Sequence, residues 1–81
     1  MTVVVLIFGS AATVAKTDRV SVEVESGATV RDVLAAMNRS HPELQFATAS
    51  ARIAINQEFA APSTPIAETD ELALISLVGG G

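Results

Sequence analysis

The sequence contains no cysteine. That absence excludes disulfides, thiolate metal ligands and a cysteine nucleophile together, and it suits a cytoplasmic protein. Aromatic residues are nearly as scarce: Phe8, Phe46 and Phe59 are the whole set. Five basic residues are scattered among nine acidic ones, for a net charge of -4. Without a basic stripe, nucleic-acid binding is not expected. A mildly acidic chain instead suits a partner with a basic groove. The single histidine, His41, has no metal-ligating neighbours and reads as a helix-end residue. No P-loop, Ser-His-Asp set or metal-ligand spacing occurs. The adjacent carboxylates Asp70 and Glu71 lack pocket-forming neighbours and read as a solvated turn.

What remains is an apolar chain of 81 residues, 49% hydrophobic and 17% charged, with room for one domain spanning 1–81. The apolar start, Met1 to Phe8, lacks a positive leader and is too short to span a bilayer. No membrane segment is therefore expected. The run Val3-Val4-Val5-Leu6-Ile7-Phe8 predicts a central strand buried on both faces. Asp18 to Glu25 alternates, with Val20, Val22 and Val24 on one face, and predicts a half-buried strand paired antiparallel to the first. Between them, residues 11–16 fit a helical turn or a loop equally.

Thr29 followed by Asp32 forms a capping-box variant. The apolar stripe Val30, Val33, Leu34 and Met37 predicts a helix that stops at His41-Pro42. Pro42 to Ser50 reads as irregular, with Leu44 and Phe46 as candidate core plugs. Arg52 to Asn56 predicts a short strand, Asn56-Gln57-Glu58 a turn, and Leu72 to Val78 the last strand. A hairpin, a crossing helix and later strands are the elements of an α+β β-grasp (ubiquitin-like) fold. One main helix crosses a mixed sheet, and the two most apolar strands pair parallel at its centre.

The strongest local feature is the run Gly79-Gly80-Gly81 directly after the last strand. Glycine loses packing and costs backbone entropy in a strand extension, so a structural use is hard to find. A tail without Cβ atoms can thread a narrow slot and deliver the Gly81 carboxylate to an enzyme. Joining that carboxylate to AMP makes a mixed anhydride. A sulfur nucleophile then leaves a thiocarboxylate, and an amine leaves an amide. The alternative is an inert, flexible terminus.

Taken in order, several segments resemble the small sulfur-carrier subunit of molybdopterin synthase, over essentially the whole chain. They are residues 6–11, Gly27-Ala28-Thr29-Val30 with Val33-Leu34, residues 54–58, residues 65–75 and Val78-Gly79-Gly80-Gly81. The resemblance implies a non-catalytic sulfur donor with no resident cofactor or metal. A ubiquitin-activating-like adenylyltransferase spends ATP to adenylate Gly81, and a sulfur donor converts the acyl-adenylate to a thiocarboxylate. The tail, including Gly80, then enters the large catalytic subunit of a heterotetramer and supplies the molybdopterin dithiolene. The resemblance assigns partner docking to an apolar sheet surface at Phe8, Phe59 and Ile75, continued by Val78 and Gly79. The residues alone leave Phe8, Phe59 and Ile75 equally suited to plain core. Ala12-Thr13, Ser76-Leu77 and Glu68-Thr69 depart from the Arg-Glu, Pro-Pro and Asp-Gly of that family. A related carrier for thiamine or cysteine synthesis, or a ubiquitin-like protein modifier, would keep the same tail.

Overall fold

A computed structural model describes residues 1–76. Strand β1 (Thr2–Leu6) pairs antiparallel with β2 (Arg19–Glu23), in a register from Thr2 opposite Glu23 to Leu6 opposite Arg19. Val3 faces Val22 and Val5 faces Val20, so two β-branched pairs stack on the inner face. The connection is a seven-residue helix, α1 (Gly9–Ala15), which resolves the ambiguity left by the sequence. It leaves the strand at Gly9 with φ +60, closes at Lys16 with φ 61, and buries Ala11.

Helix α2 (Val30–Ser40) crosses the sheet and buries Val30, Val33, Ala36 and Met37. Leu34, expected within that stripe, is only partly buried at the core margin, and Ala36 takes the inner position. The start of α2 is held from two directions. The Asp32 carboxylate accepts the Thr29 N–H (2.9 Å) and the Thr29 hydroxyl (3.2 Å). The next two N–H groups, of Val30 and Arg31, donate to the carbonyls of Thr64 and Pro62, each at 3.0 Å. Donors that a helix leaves unpaired at its first turn are thus satisfied by a loop from late in the chain. The bonds from Thr29 hold the Asp32 carboxyl below its ordinary pKa, the backbone bond contributing most.

After α2 come a 3₁₀ turn (Pro42–Leu44) and a short helix, α3 (Gln45–Thr48), where the sequence reads as irregular. Leu44 is fully buried, as expected of a plug. Phe46 is not: it is 51% exposed on the outward side of α3. A single helical turn can send only one side inward, and Ala47 and Thr48 take it. The Thr48 hydroxyl bonds the Asn38 side-chain oxygen (2.5 Å) and ties α3 to α2.

Strands β3 (Ala51–Ile55), β4 (Glu58–Phe59) and β5 (Leu72–Ser76) complete a sheet in the order β2-β1-β5-β3-β4. The β1–β5 pair is parallel and the others antiparallel. This is the β-grasp arrangement, with the first and last strands side by side. One expectation fails. β1 is not buried on both faces: Val3, Val5 and Ile7 point into the core, whereas Val4 is 42% and Phe8 55% exposed. The described helices form a layer on one side of the sheet, and among the described residues the opposite face of this apolar strand is left open.

Two stability outcomes follow. Leu44→Ala is expected to cost about 2–5 kcal/mol, as a fully buried large-to-small change, whereas Phe46→Ala stays within about 0.5 kcal/mol; urea titration of both variants checks this. Because folding lowers the Asp32 pKa, its contribution is fully present above the ordinary aspartate range and disappears as pH falls through the lowered folded value. Asp32→Asn is therefore expected to be less stable than the native chain at neutral pH. The gap should close on acidification, as read from thermal midpoints across a pH series.

Candidate functional site

The uncovered sheet face gathers the docking residues expected from the sequence. In the parallel β1–β5 register, Val5 lies beside Leu72 and Leu6 beside Ala73. Continued by two residues, that register brings Phe8 next to Ile75 at the far end of the strands. In β3, Ala54 pairs with Phe59 on one side and Ala73 on the other, and Arg52 pairs with Ile75. Opposite residues share a face, so Leu6, Phe8, Ala54, Phe59, Ala73 and Ile75 form one outer surface. They line a shallow groove of about 400 Å³ with Gln57 and Glu71 at its margin.

Phe8 and Phe59 are 55% and 53% exposed, while Ile75 is half-buried between them. The plain-core alternative therefore does not hold for the two rings. An exposed apolar surface framed by charged residues is the form of an interaction site. Arg52 frames it on one side, its guanidinium 4.8 Å from the Phe59 ring centroid. That cation–π contact is worth about 0.5–1 kcal/mol at an exposed site. Arg52 was not among the expected site residues; its place opposite Ile75 follows from register, which a sequence does not display.

The approach to β5 is fixed by a polar clamp. Asn56 and Gln57 make the two-residue turn between β3 and β4, both with positive φ (52° and 74°). The Asn56 side chain donates to Asp70 Oδ1 (3.1 Å) and accepts the Glu71 N–H (3.0 Å). Its own N–H donates to the Glu71 carbonyl (2.8 Å), and Asp70 Oδ2 accepts the Ala67 N–H (2.8 Å). Asp70 is thus engaged inside the fold, not a free carboxylate, while Glu71 is exposed. Glu23 lies on the open face and is bonded to the Thr2 hydroxyl. Glu58, opposite Ile55, lies on the other side of the sheet.

The expected site residues Val78, Gly79, Gly80 and Gly81 lie outside the described residues. β5 is described as far as Ser76, opposite Ala51, so the chain passes to them from the middle strand of the sheet. Among the described residues, no group of three His, Asp or Glu side chains is placed to hold a metal ion. No described helix is long and apolar enough to cross a membrane.

The fold is shared with several solved structures. SAMP1 from Haloferax volcanii superposes with a TM-score of 0.84 at 32% sequence identity, over 100% of both chains. A putative molybdopterin converting factor, subunit 1, from Pyrococcus furiosus has a TM-score of 0.81 at 21% identity, over 96% of this chain and 99% of that one. A chain from the complex of subunits 1 and 2 of the molybdopterin-converting factor of Helicobacter pylori has a TM-score of 0.69 at 22% identity, over 100% of both chains. Both of the latter likenesses concern the fold. The profile of the ThiS family matches residues 5–81, and with it the glycine run; this chain belongs to the ThiS family.

Proposed function

We propose that this chain is a cytoplasmic sulfur carrier, the small subunit of a molybdopterin synthase, and that Gly81 is its reacting group. The observation that carries this reading is the convergence at the end of β5. Phe8, Ile75 and Phe59 surround the strand whose next residues in sequence are Leu77-Val78-Gly79-Gly80-Gly81. A partner that grips the open face thereby stands over the path to the glycines. A large-subunit partner is supported by the Helicobacter pylori structure, which is a complex of subunits 1 and 2.

In the proposed reaction a Gly81 carboxylate oxygen attacks the α-phosphorus of ATP held by an adenylyltransferase. Pyrophosphate leaves and an acyl-adenylate remains. A sulfide-level sulfur nucleophile adds to the acyl carbon, the bond to the AMP oxygen breaks, and a thiocarboxylate results. The large catalytic subunit then uses that sulfur to build the dithiolene of molybdopterin. The carrier's own side chains supply no acid or base; the body binds and the backbone reacts. A second reading, protein modification, is favoured by the 32% identity to SAMP1, whose name is small archaeal modifier protein 1. There the lysine amine of a target protein takes the place of sulfur at the same acyl carbon. A thiamine or cysteine pathway would use the thiocarboxylate without change.

With its cognate adenylyltransferase, ATP and a sulfur donor, the intact chain is expected to gain the mass of one sulfur-for-oxygen exchange. Deleting Gly80-Gly81 should abolish the gain and leave the thermal midpoint unchanged. If the intact chain never acquires the shift, sulfur carriage is wrong, and higher-mass conjugates on an immunoblot would then select the modifier reading. Phe59→Ser is expected to weaken binding to the large subunit about tenfold or more, as for a buried aromatic anchor. Its stability should fall by about 1–2 kcal/mol, because the half-exposed ring loses its contact with Arg52 and part of its packing on the outer face; titration and thermal melting measure the two effects separately.

A further inference from the structure

β2 is the outermost strand on the β1 side, and among the described residues no strand pairs with its far edge. The bonds to β1 fix which backbone groups face that edge. The Met1 amine donates to the Val24 carbonyl (2.6 Å) and the Val24 N–H donates back to the Met1 carbonyl (2.9 Å). At the other end the Ile7 N–H donates to the Asp18 carbonyl (2.9 Å). In an antiparallel pair, residues that exchange bonds alternate with residues whose N–H and C=O turn away. The register therefore aims Val20 and Val22 at β1, and Arg19, Ser21 and Glu23 at the open edge. All three of these are exposed. The Thr17 hydroxyl loosely occupies the Arg19 N–H (3.4 Å) and carbonyl (3.2 Å).

An open strand edge is a template for pairing, and charged side chains are the usual guard against an arbitrary strand. Here the charges are placed symmetrically, Arg19 two residues before Ser21 and Glu23 two residues after it. An antiparallel strand centred on Ser21 must bring an acid opposite Arg19 and a base opposite Glu23. β2 of a second copy does both. A two-fold axis at Ser21 sets Arg19 of each copy against Glu23 of the other, and opposite charges across strands are favourable where like charges are not. The same register sets the buried Val20 of one copy beside Val22 of the other, so the inner apolar layer continues across the join. A slip of one residue turns the valines to the wrong face; a slip of two sets a charged side chain against Ser21. We propose that β2 is a self-pairing edge, through which two copies join antiparallel about Ser21 into one continuous sheet with reciprocal Arg19–Glu23 contacts. β1 separates β2 from β5, so the Ile75 and Phe59 groove stays uncovered in the pair. The inference does not depend on the carrier reading. A five-residue edge is short for an interface and each copy carries a charge of -4, so the pairing is weak and grows with concentration.

Sedimentation equilibrium of the full chain, over a concentration series reaching the millimolar range at about 0.15 M salt, tests it. The average mass is expected to climb from monomer toward dimer. Arg19→Glu and Glu23→Arg each create like charges at both contacts and should weaken association about tenfold. Glu23→Arg also brings the net charge nearer zero, so a general charge effect would strengthen association instead. An equimolar mixture of the two variants should recover it, because every contact between them is again of opposite sign. Ser21→Pro, which removes an N–H that β1 does not use, should abolish association and leave a folded monomer. A native chain that stays monomeric throughout overturns the inference, and so does a mixture that recovers nothing. Association that survives both charge reversals and Ser21→Pro overturns it as well, and places the contact on the open apolar face.

Discussion

Everything in this fold is arranged around a last strand that is hydrogen-bonded along both edges. β5 runs parallel to β1 and antiparallel to β3, so a slip by one residue would break two ladders and turn Leu72 and Leu74 out of the core. The Asn56–Asp70 clamp sets where the strand begins, and the buried side chains set its facing. The strand carries the chain toward its glycines with a fixed starting point and direction. On the proposed reading, in which a backbone carboxylate reacts, that is the main thing the body has to provide.

The second constraint is that the described helices cover one side of the sheet. In the inner layer Ile7, Met37, Leu44, Ile53 and Leu72 fill a core of branched and flexible aliphatics. Among the described residues the outer face has no layer of its own, yet β1 remains apolar on it. Keeping that face exposed costs solubility, and Arg52 over Phe59 and Glu23 bonded to Thr2 keep its margin wet. The α2 start is held by polar contacts instead: Asp32 accepts from Thr29, and the carbonyls of Thr64 and Pro62 accept from Val30 and Arg31.

Much of this was readable before any coordinates. The alternation of Val20 and Val22 and the Thr29–Asp32 cap were visible because each rests on local spacing, whereas the pairing of the two most apolar strands followed from the order of elements in a β-grasp. β1 misled because a continuous apolar run has the same signature whether both faces are covered by protein or one face waits for a partner. Phe46 misled because nothing periodic surrounds it; its outward aim depends on how a single turn of α3 sits against α2. The turn at Asn56-Gln57 lacks the glycine that normally marks such a hairpin, so the clamp behind it was invisible. Of the candidate site, the resemblance supplied Phe8, Phe59 and Ile75. Arg52 required register.

One consequence of the composition is experimental. All three phenylalanines stand on the surface and none lies in the core, and the chain has no tyrosine or tryptophan. Fluorinated phenylalanine incorporated throughout the chain would place every label on the surface, and none in the interior. The fluorine spectrum of this protein would then act as a footprint, in which each resonance that moves on adding another macromolecule reports which ring has been touched.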